Sequence, residues 1–186
     1  MSEMRNSALA QAEFKGLVTV REAGLRGMIT LRGDLDALAG PVRQVTGLDI
    51  PATRKLVQSG DMALGWMSPD ELLLMLPHDQ AAATSAALQA ALAEVFATVA
   101  NVSDARAVFT LSGTKAADVL AKLCPVDFRT LHPGDIRRTR AAQVAAAIWV
   151  SAADEMTVVC FRSVATYMFD LLSTAARPGS DPALYS

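Results

Sequence analysis

Apolar and polar residues alternate along the chain in short runs, and segments with helical spacing separate these runs. Residues 17–21 and 28–32 show the alternation of strands, and Gly24-Leu25-Arg26-Gly27 between them predicts a turn that joins them. Asp34 then precedes apolar residues at near-helical spacing. Pro41 interrupts that segment, so we expect a helix that is either short, beginning at Pro41, or kinked. Gly47 is expected to end it.

The next segments read as a hairpin followed by a helix. Residues 62–67 and 71–76 are predicted strands, and Ser68-Pro69-Asp70 between them is a favourable turn sequence. Asp79 is a suitable N-cap for a helix that extends to about residue 95.

A similar order follows in the second part of the chain. Residues 99–102 and 107–111 are predicted strands, and Ser112 or Thr114 can cap a helix that Pro125 stops. Residues 139–150 are predicted to form one long or bent strand that pairs with residues 156–161. Ser163 is expected to begin the last helix, whose apolar stripe is the clearest in the chain.

The two parts also repeat each other in detail. Residues 28–33 and 108–113 both end on Thr-Leu-x-Gly, and Trp66 and Trp149 precede similar turns, so we expect the tryptophans at equivalent strand positions. The pattern predicts an α+β fold of two similar β-β-α-β-β-α halves, with antiparallel sheets and helices on one face. The predicted organisation is an extended N-terminal arm (1–14), a first half (15–96), a second half of the same two-lobed domain (97–177) and a loose tail (178–186).

Composition adds a preference for binding a partner. Of 186 residues, 52% are hydrophobic and only 19% are charged, against about 25% in an average protein. Apolar surface in excess favours a protein that buries a face against another chain. The net charge of −2 does not attract a polyanion. A cluster of arginines is therefore interpreted as a solvated or subunit-facing strand, with a nucleic-acid adaptor as an alternative: Arg129, Arg137, Arg138 and Arg140.

The cysteines, the start of the chain and its apolar stretches predict the location of the protein in the cell. Cys124 and Cys160 are far apart and make no CxxC pair, which indicates neither a disulfide framework nor a zinc site and fits a reducing cytoplasm. The start of the chain has no secretory pattern, and the richest apolar stretch, residues 144–150, is much shorter than the roughly 20 residues of a membrane span. We therefore expect a cytoplasmic protein with no membrane segment.

No sequence motif for catalysis or cofactor binding is found. The glycines form neither GxGxxG nor GxxxxGK[ST], and His78 and His132 are interpreted as local structural residues. Cys124 is interpreted as a core residue, because Lys122 is the only nearby group that could lower its pKa and would point away from it on a helix. The acidic pairs at 70–71 and 154–155 are interpreted as solvated turn residues rather than as an acid and a base. We predict no catalytic residue and no metal site.

Residues 102–113 and 119–128 resemble the folate-binding aminomethyltransferase superfamily, in which a strand, a Ser-Gly turn and a helix are followed by a cysteine or threonine and an aspartate. Within it, residues 27–176 are most similar to the gamma subunits of heterotetrameric sarcosine oxidase. The matching motifs are the Gly33-Asp34 turn, Trp66 with Pro69-Asp70-Glu71, Cys124-Pro125-x-Asp127-Phe128, Gly134 with Thr139, and Arg162-Ser163.

This resemblance implies a complex that oxidatively demethylates sarcosine to glycine and yields peroxide with formaldehyde or methylene-tetrahydrofolate. It implies that the alpha, beta and delta subunits are partners and that FAD, FMN, NAD, zinc and tetrahydrofolate belong to them. This chain would be a non-catalytic assembly subunit that self-associates when isolated.

The alternative is a stand-alone folate-binding one-carbon protein. The Gly-Gly-rich hairpin that holds the pterin in folate-binding relatives is missing from this sequence, and so is the Lys-Gly-Cys-Tyr signature of another branch. If this chain binds a cofactor, the candidate residues are Asp127, Arg129 and Arg138.

Overall fold

The chain forms two units, each built on an antiparallel sheet, in a computed structural model that describes residues 6–183. Unit 1 comprises residues 6–25, 104–133 and 137–183, and unit 2 comprises residues 26–103 and 134–136. The fold class is α+β, as the sequence predicts. The boundaries of these units differ from those of the predicted halves, 15–96 and 97–177.

Eleven strands and four α-helices lie within residues 6–183. The strands are β1 (Glu13–Lys15), β2 (Thr19–Glu22), β3 (Gly27–Gly33), β4 (Leu56–Ser59), β5 (Met62–Ser68), β6 (Glu71–Leu76), β7 (Ala97–Asn101), β8 (Arg106–Ser112), β9 (Ile136–Ala141), β10 (Val144–Ala152) and β11 (Glu155–Phe161). The helices are α1 (Leu35–Thr46), α2 (Ala81–Ala91), α3 (Ala116–Ala121) and α4 (Ala165–Ala175). In this part of the chain, none of the helices has the length and apolarity that crossing a membrane requires.

Unit 2 contains a five-stranded sheet in the order β4-β5-β6-β3-β7. Strand β6 is buried along its whole length because it is central and almost entirely apolar. Helices α1 and α2 contact each other and β3, and they bury their apolar stripes in the core of this unit. Its fully buried side chains come from strands and helices alike: Ile29, Leu31, Leu38, Val42, Leu64, Leu72, Leu74, Leu76 and Leu88.

Helix α1 has the two ends that the sequence predicts. Asp34 Oδ1 accepts hydrogen bonds from the backbone N–H groups of Asp36 and Ala37, at 2.9 and 3.1 Å. Gly47 ends the helix in the left-handed conformation, with φ of 71°. The helix is continuous from Leu35 to Thr46, so the alternative of a short helix that begins at Pro41 is wrong.

Unit 1 contains a six-stranded sheet in the order β1-β2-β8-β11-β10-β9. Helix α4 contacts β2 and β11, and α3 contacts α4 and β11. The last helix buries Met168 and Leu172 from its predicted stripe but leaves Tyr167 half exposed. The side chains of this core include Val20, Phe109, Leu111, Leu120, Ile148, Val158, Met168 and Leu172.

The strands predicted at residues 17–21 and 28–32 are confirmed, but the turn predicted between them is wrong, because residues 23–26 form no turn and the two strands lie in different sheets. Strand β2 pairs with β1 and β8 in unit 1, whereas β3 pairs with β6 and β7 in unit 2. The first strand of each half has therefore joined the sheet of the other half. Alternation shows that a segment is a strand, but it does not select the strand with which that segment pairs.

Each half contains one strand more than predicted. The halves follow the same order, β2-β3-α1-β4-β5-β6-α2 and β7-β8-α3-β9-β10-β11-α4. Strand β4 was not predicted. The predicted single strand over residues 139–150 is wrong, because Ala142 has a φ of 49° at a turn that divides it into the neighbouring strands β9 and β10. The hairpins β5-β6 and β10-β11 are confirmed.

Three predicted helix starts are wrong. Asp79 lies in a short 3₁₀ segment, His78–Gln80, before α2, and α2 ends at Ala91 rather than near residue 95. Neither Ser112 nor Thr114 caps α3, and Ser163 lies in the 3₁₀ segment that precedes α4. In each case the chain enters the α-helix from a turn whose backbone is already helical or nearly so, and an extended N-cap residue is then not needed.

Trp66 and Trp149 do not occupy equivalent positions. Trp66 is opposite Leu72, and the equivalent of Leu72 in unit 1 is Met156, which is opposite Val150. Trp149 is one residue earlier, opposite Thr157. A shift of one residue places a side chain on the other face of a strand. The longer turn after Trp149 explains the shift, so the prediction that the two tryptophans occupy equivalent strand positions is wrong.

The described residues of both predicted end segments belong to unit 1. Residues 1–5 of the predicted N-terminal arm and residues 184–186 of the predicted tail lie outside the described residues. Within the arm, Glu13 and Phe14 belong to strand β1. In the tail, the carboxylate of Asp181 lies 3.2 Å from Lys115 Nζ.

Candidate functional site

A cavity of about 220 Å³ lies in unit 1 between the start of α3 and the β10-β11 turn. Its volume is below the roughly 300 Å³ at which pockets for drug-sized ligands begin. Most of the lining is apolar, and the polar side chains belong to Thr114, Asp154 and Glu155. The apolar side chains that line it are Ala116, Ala117, Phe128, Leu131, Pro133, Val150, Ala153 and Met156.

Glu155 at this cavity is held by two hydroxyl groups. Ser112 Oγ donates to Glu155 Oε2 at 2.9 Å, and Ser151 Oγ donates to Glu155 Oε1 at 3.0 Å. The N–H of Gly113 donates to the carbonyl oxygen of Asp154 at 2.7 Å. These bonds fix the turn, so the carboxylate of Glu155 is available to a ligand only as an already oriented acceptor.

The equivalent turn of unit 2 is fixed in a similar way. Ser68 Oγ donates to Asp70 Oδ1 at 2.6 Å, and Arg32 lies 3.4 Å from the same carboxylate. The hydrogen bond from Ser68, together with the charge of Arg32, lowers the pKa of Asp70. The two acidic pairs therefore lie where turns meet strands, as predicted. The prediction that all four side chains are solvated is wrong, because Glu71 begins the fully buried strand β6 and is itself buried.

The candidate residues Asp127 and Arg129 contact each other. Arg129 donates from Nε and Nη2 to the two carboxylate oxygens of Asp127, at 2.9 and 3.1 Å, and its backbone N–H donates at 3.1 Å. The hydrogen bonds and charge of Arg129 lower the pKa of Asp127. The pair begins the 3₁₀ segment Phe128–Thr130. The third candidate, Arg138, lies on β9 with an exposed side chain.

Both cysteine thiols are buried in the core of unit 1. Burial raises the pKa of Cys124 and that of Cys160 to about 11. Lys122 is not directed at Cys124, because its Nζ donates to the carbonyl oxygen of Ala175 at 2.6 Å and to Ser180 Oγ at 2.9 Å. Thiols that stay protonated at neutral pH are poor nucleophiles and poor metal ligands.

The histidines lie at the ends of secondary structure. His78 begins the 3₁₀ segment before α2, and His132 lies between the 3₁₀ segment Phe128–Thr130 and β9. Within residues 6–183, no group of three or more histidine, cysteine, aspartate or glutamate side chains is placed to hold a metal ion.

Buried charged groups that the sequence did not single out also have partners. Glu22 accepts a hydrogen bond from the N–H of Gln11 at 2.9 Å, and Asp135 contacts Lys55 Nζ at 2.6 Å. Lys115 lies 3.2 Å from Asp181 and 3.5 Å from buried Asp118, and Asp181 with Asp118 raises the pKa of Lys115. The spacing of Lys115 and Asp118 on one helix was the only local signal for any of these pairs.

The fold by itself places the protein in a structural class. It matches aminomethyltransferase T of the glycine cleavage system from Bartonella henselae with a TM-score of 0.59 over 82% of this chain and 44% of that chain, at 18% identity. That likeness concerns the fold alone. The protein is thus an α+β protein with the aminomethyltransferase type of fold.

Closer similarities give the family. A chain of the heterotetrameric sarcosine oxidase from Corynebacterium sp. U-96 aligns with a TM-score of 0.82 at 27% identity, over 94% of this chain and 95% of that chain. The model of the "Sarcosine oxidase, gamma subunit family" matches residues 32–177. The chain belongs to this family, which confirms the resemblance seen in the sequence.

Two curated relatives are both described as sarcosine oxidase subunit gamma. The protein from Corynebacterium sp. (strain U-96) is 34% identical over 141 residues, and the protein from Arthrobacter sp. is 32% identical over 130 residues. These matches cover 73% and 68% of this chain. They span 66% and 61% of the relatives, which is less than two thirds of their length.

Proposed function

We propose that this chain is a non-catalytic assembly subunit of a heterotetrameric sarcosine oxidase, which demethylates sarcosine oxidatively to glycine. The observation that carries the proposal is membership of the gamma subunit family over residues 32–177. The alpha, beta and delta subunits would be its partners in the cytoplasm. FAD, FMN, NAD, zinc and tetrahydrofolate would be bound by them, with peroxide and formaldehyde or methylene-tetrahydrofolate as products.

The environment of the reactive groups supports a role without catalysis. Burial keeps the thiols of Cys124 and Cys160 protonated at neutral pH. Asp127 is paired with Arg129, and Glu155 is held by two serines. A nucleophile needs a base within hydrogen-bonding distance, and these groups are instead engaged in turns and core packing.

The common order of elements supports a further part of the proposal. We infer that the two halves are structural repeats of the kind expected for a folate-binding aminomethyltransferase domain, with β2 and β7 exchanged between their sheets.

Co-expression tests the proposed role. The chain would be produced alone and together with the other three subunits, and sarcosine-dependent oxygen uptake would be measured for each preparation. We expect the isolated chain to be colourless and inactive and to co-elute with the flavin-containing subunits when these are present. A chain that oxidises sarcosine alone, or that never co-elutes, would contradict the proposal.

The fold likeness and the cavity of about 220 Å³ favour a second candidate, a stand-alone folate-binding one-carbon protein. Titration with folinic acid separates it from the first, because Trp149 is adjacent to Val150 in the cavity wall. We expect no saturable quenching of tryptophan fluorescence at micromolar ligand. Saturable quenching that Glu155→Gln abolishes would favour the second candidate.

A further inference from the structure

Strand β7 is an outer strand of the unit 2 sheet, and its counterpart in unit 1 is not. The sheet of unit 2 ends on β7, whereas in unit 1 the corresponding strand β2 is covered by β1. The outer edge of β2 is therefore paired with another strand, whereas the equivalent edge of β7 is not.

The register shows that β2 and β7 correspond residue by residue. Val20 is opposite Leu111 in unit 1, and Val99 is opposite Leu31 in unit 2. The glycines at the ends of the neighbouring strands are also equivalent: Gly33 ends β3, and Gly113 directly follows β8. A methyl group added to Gly113 would lie 3.2 Å from Val18, and one added to Gly33 would lie 3.2 Å from Ala97.

The hydrogen-bonding groups of Val99 face away from the sheet. The N–H of Val102 donates to the carbonyl oxygen of Met28 at 2.8 Å, and in an antiparallel pair the bonded positions alternate. Thr98 and Ala100 consequently bond to β3, whereas Ala97, Val99 and Asn101 face outward. Gln89 Nε2 donates to the carbonyl oxygen of Val99 at 3.3 Å, and no acceptor for the Val99 N–H is found among residues 6–183.

The same outward positions are satisfied in unit 1. Strand β1 pairs Phe14 with Val20, and the N–H of Glu22 donates to the carbonyl oxygen of Ala12 at 2.9 Å. Val20 and Val18 are buried, whereas their counterparts Val99 and Ala97 are only half buried.

Phe96 shows the same contrast more strongly. By the same register it corresponds to half-buried Leu17, which packs against the core of unit 1. Phe96 itself is fully exposed. A fully exposed phenylalanine beside an uncharged outer strand is costly in water and marks an edge that natural proteins usually protect.

We propose that the outer edge of β7, together with Phe96, binds an extended segment of another subunit, which pairs antiparallel with residues 98–100 as β1 pairs with β2. The inference rests on the proposed function, because a hetero-oligomeric complex supplies a different chain for this edge. By analogy with Glu13-Phe14-Lys15, the segment would place an apolar side chain opposite Val99 and polar or charged residues on either side of it.

Hydrogen–deuterium exchange on the co-expressed complex tests the edge directly. In the isolated chain we expect the outward amides of Val99 and Asn101 to exchange rapidly. In the complex their exchange should slow by at least about ten-fold, since a strand added to the edge supplies acceptors for them. The inward amides of Thr98 and Ala100 are expected to be protected in both samples.

Two substitutions test the contribution of the edge to assembly. Val99→Pro removes an outward N–H without removing a bond to β3, and Phe96→Ser removes only exposed apolar surface. Each should weaken assembly by about ten-fold or more, which corresponds to about 1.4 kcal/mol. The matched control is Gln58→Pro on β4, the outer strand at the opposite end of this sheet. The N–H of Trp66 donates to the carbonyl oxygen of Lys55, and because bonded positions alternate along the strand, the N–H of Gln58 faces outward. This control should change assembly less than two-fold.

The outcomes separate this inference from the proposed function. This inference is overturned if the complex forms but exchange at β7 does not change, and if Phe96→Ser assembles as well as the unsubstituted chain. The proposed function would then still stand. Failure of the chain to assemble with the other subunits overturns both. Protection at β7 that appears in the isolated chain and rises with its concentration identifies a second copy as the occupant and overturns the choice of another subunit.

Discussion

The hydroxyl of Ser103 links two residues that are far apart in sequence. The N–H of Met28, at the start of β3, donates to Ser103 Oγ at 3.0 Å, and Ser103 Oγ lies 2.6 Å from Asn101 Oδ1, to which it donates. Ser103 is buried. This hydroxyl therefore satisfies a backbone donor where β3 and β7 begin to pair.

Replacement of Ser103 by alanine should destabilise the protein. The buried N–H of Met28 would lose its acceptor, which costs about 1–3 kcal/mol in the free energy of unfolding. Urea denaturation followed by circular dichroism measures this cost. Ser59→Ala, at an exposed position of the same sheet, is the control and should be nearly neutral. Equal stability of the two variants would show that Ser103 is not the acceptor that Met28 needs.

The cap of α1 gives a second prediction. Asp34→Ala removes the acceptor for two N–H groups and should lower the free energy of unfolding by about 1 kcal/mol. Asp34→Asn should retain most of the stability, because asparagine caps as well as aspartate does. Asp49→Ala removes only an exposed ion pair with Arg43 and serves as the control in thermal denaturation. A loss as large for Asp49→Ala as for Asp34→Ala would contradict the capping role.

Alkaline pH should destabilise the protein through its thiols. The pKa of both Cys124 and Cys160 is raised from an ordinary 9.0 to about 11. Above pH 9 the unfolded chain loses protons that the folded chain retains, so stability present below pH 9 declines as the pH rises toward 11. Urea denaturation at pH 8, 9.5 and 10.5 measures the decline. The control is the double variant Cys124→Ala and Cys160→Ala, whose stability should depend less on pH. An identical pH dependence would refute the assignment.

The pair of Asp127 and Arg129 predicts a shifted titration. Arg129 lowers the pKa of Asp127 below its ordinary 3.8, so Arg129→Gln should return it toward that value. Because the folded-state pKa is lowered, any stability that the pair contributes is present above pH 3.8 and is lost as the pH falls below it. A carbon-13 NMR titration of the carboxyl group measures the shift. Lys15→Gln, which affects Glu13 instead, should leave the titration of Asp127 unchanged.

Little of the candidate site could be predicted from the sequence. Asp127 and Arg129 are two residues apart, so their pairing is local and could be anticipated. The cavity is built from three separate stretches, residues 113–117, 128–133 and 150–156. Only the fold brings those stretches together, and no spacing in the sequence reports the space that they leave.

By itself, the sequence determined which segments are extended or helical and where several of them end. The hairpin β5-β6, the N-cap Asp34 and the C-cap Gly47 depend on neighbouring residues, and local chemistry is sufficient to specify them. The family resemblance was also readable, since it depends on the order of such local motifs.

The tertiary structure decided which strands are partners. Strands β2 and β7 read as the beginnings of their own halves, yet each lies in the sheet of the other half. It also placed Trp66 and Trp149 on different strand faces and divided residues 139–150 into two strands. The physical reason is that a strand's alternation is satisfied by any apolar sheet face, whereas its partner is selected by long-range packing and hydrogen bonding that no short stretch of sequence contains.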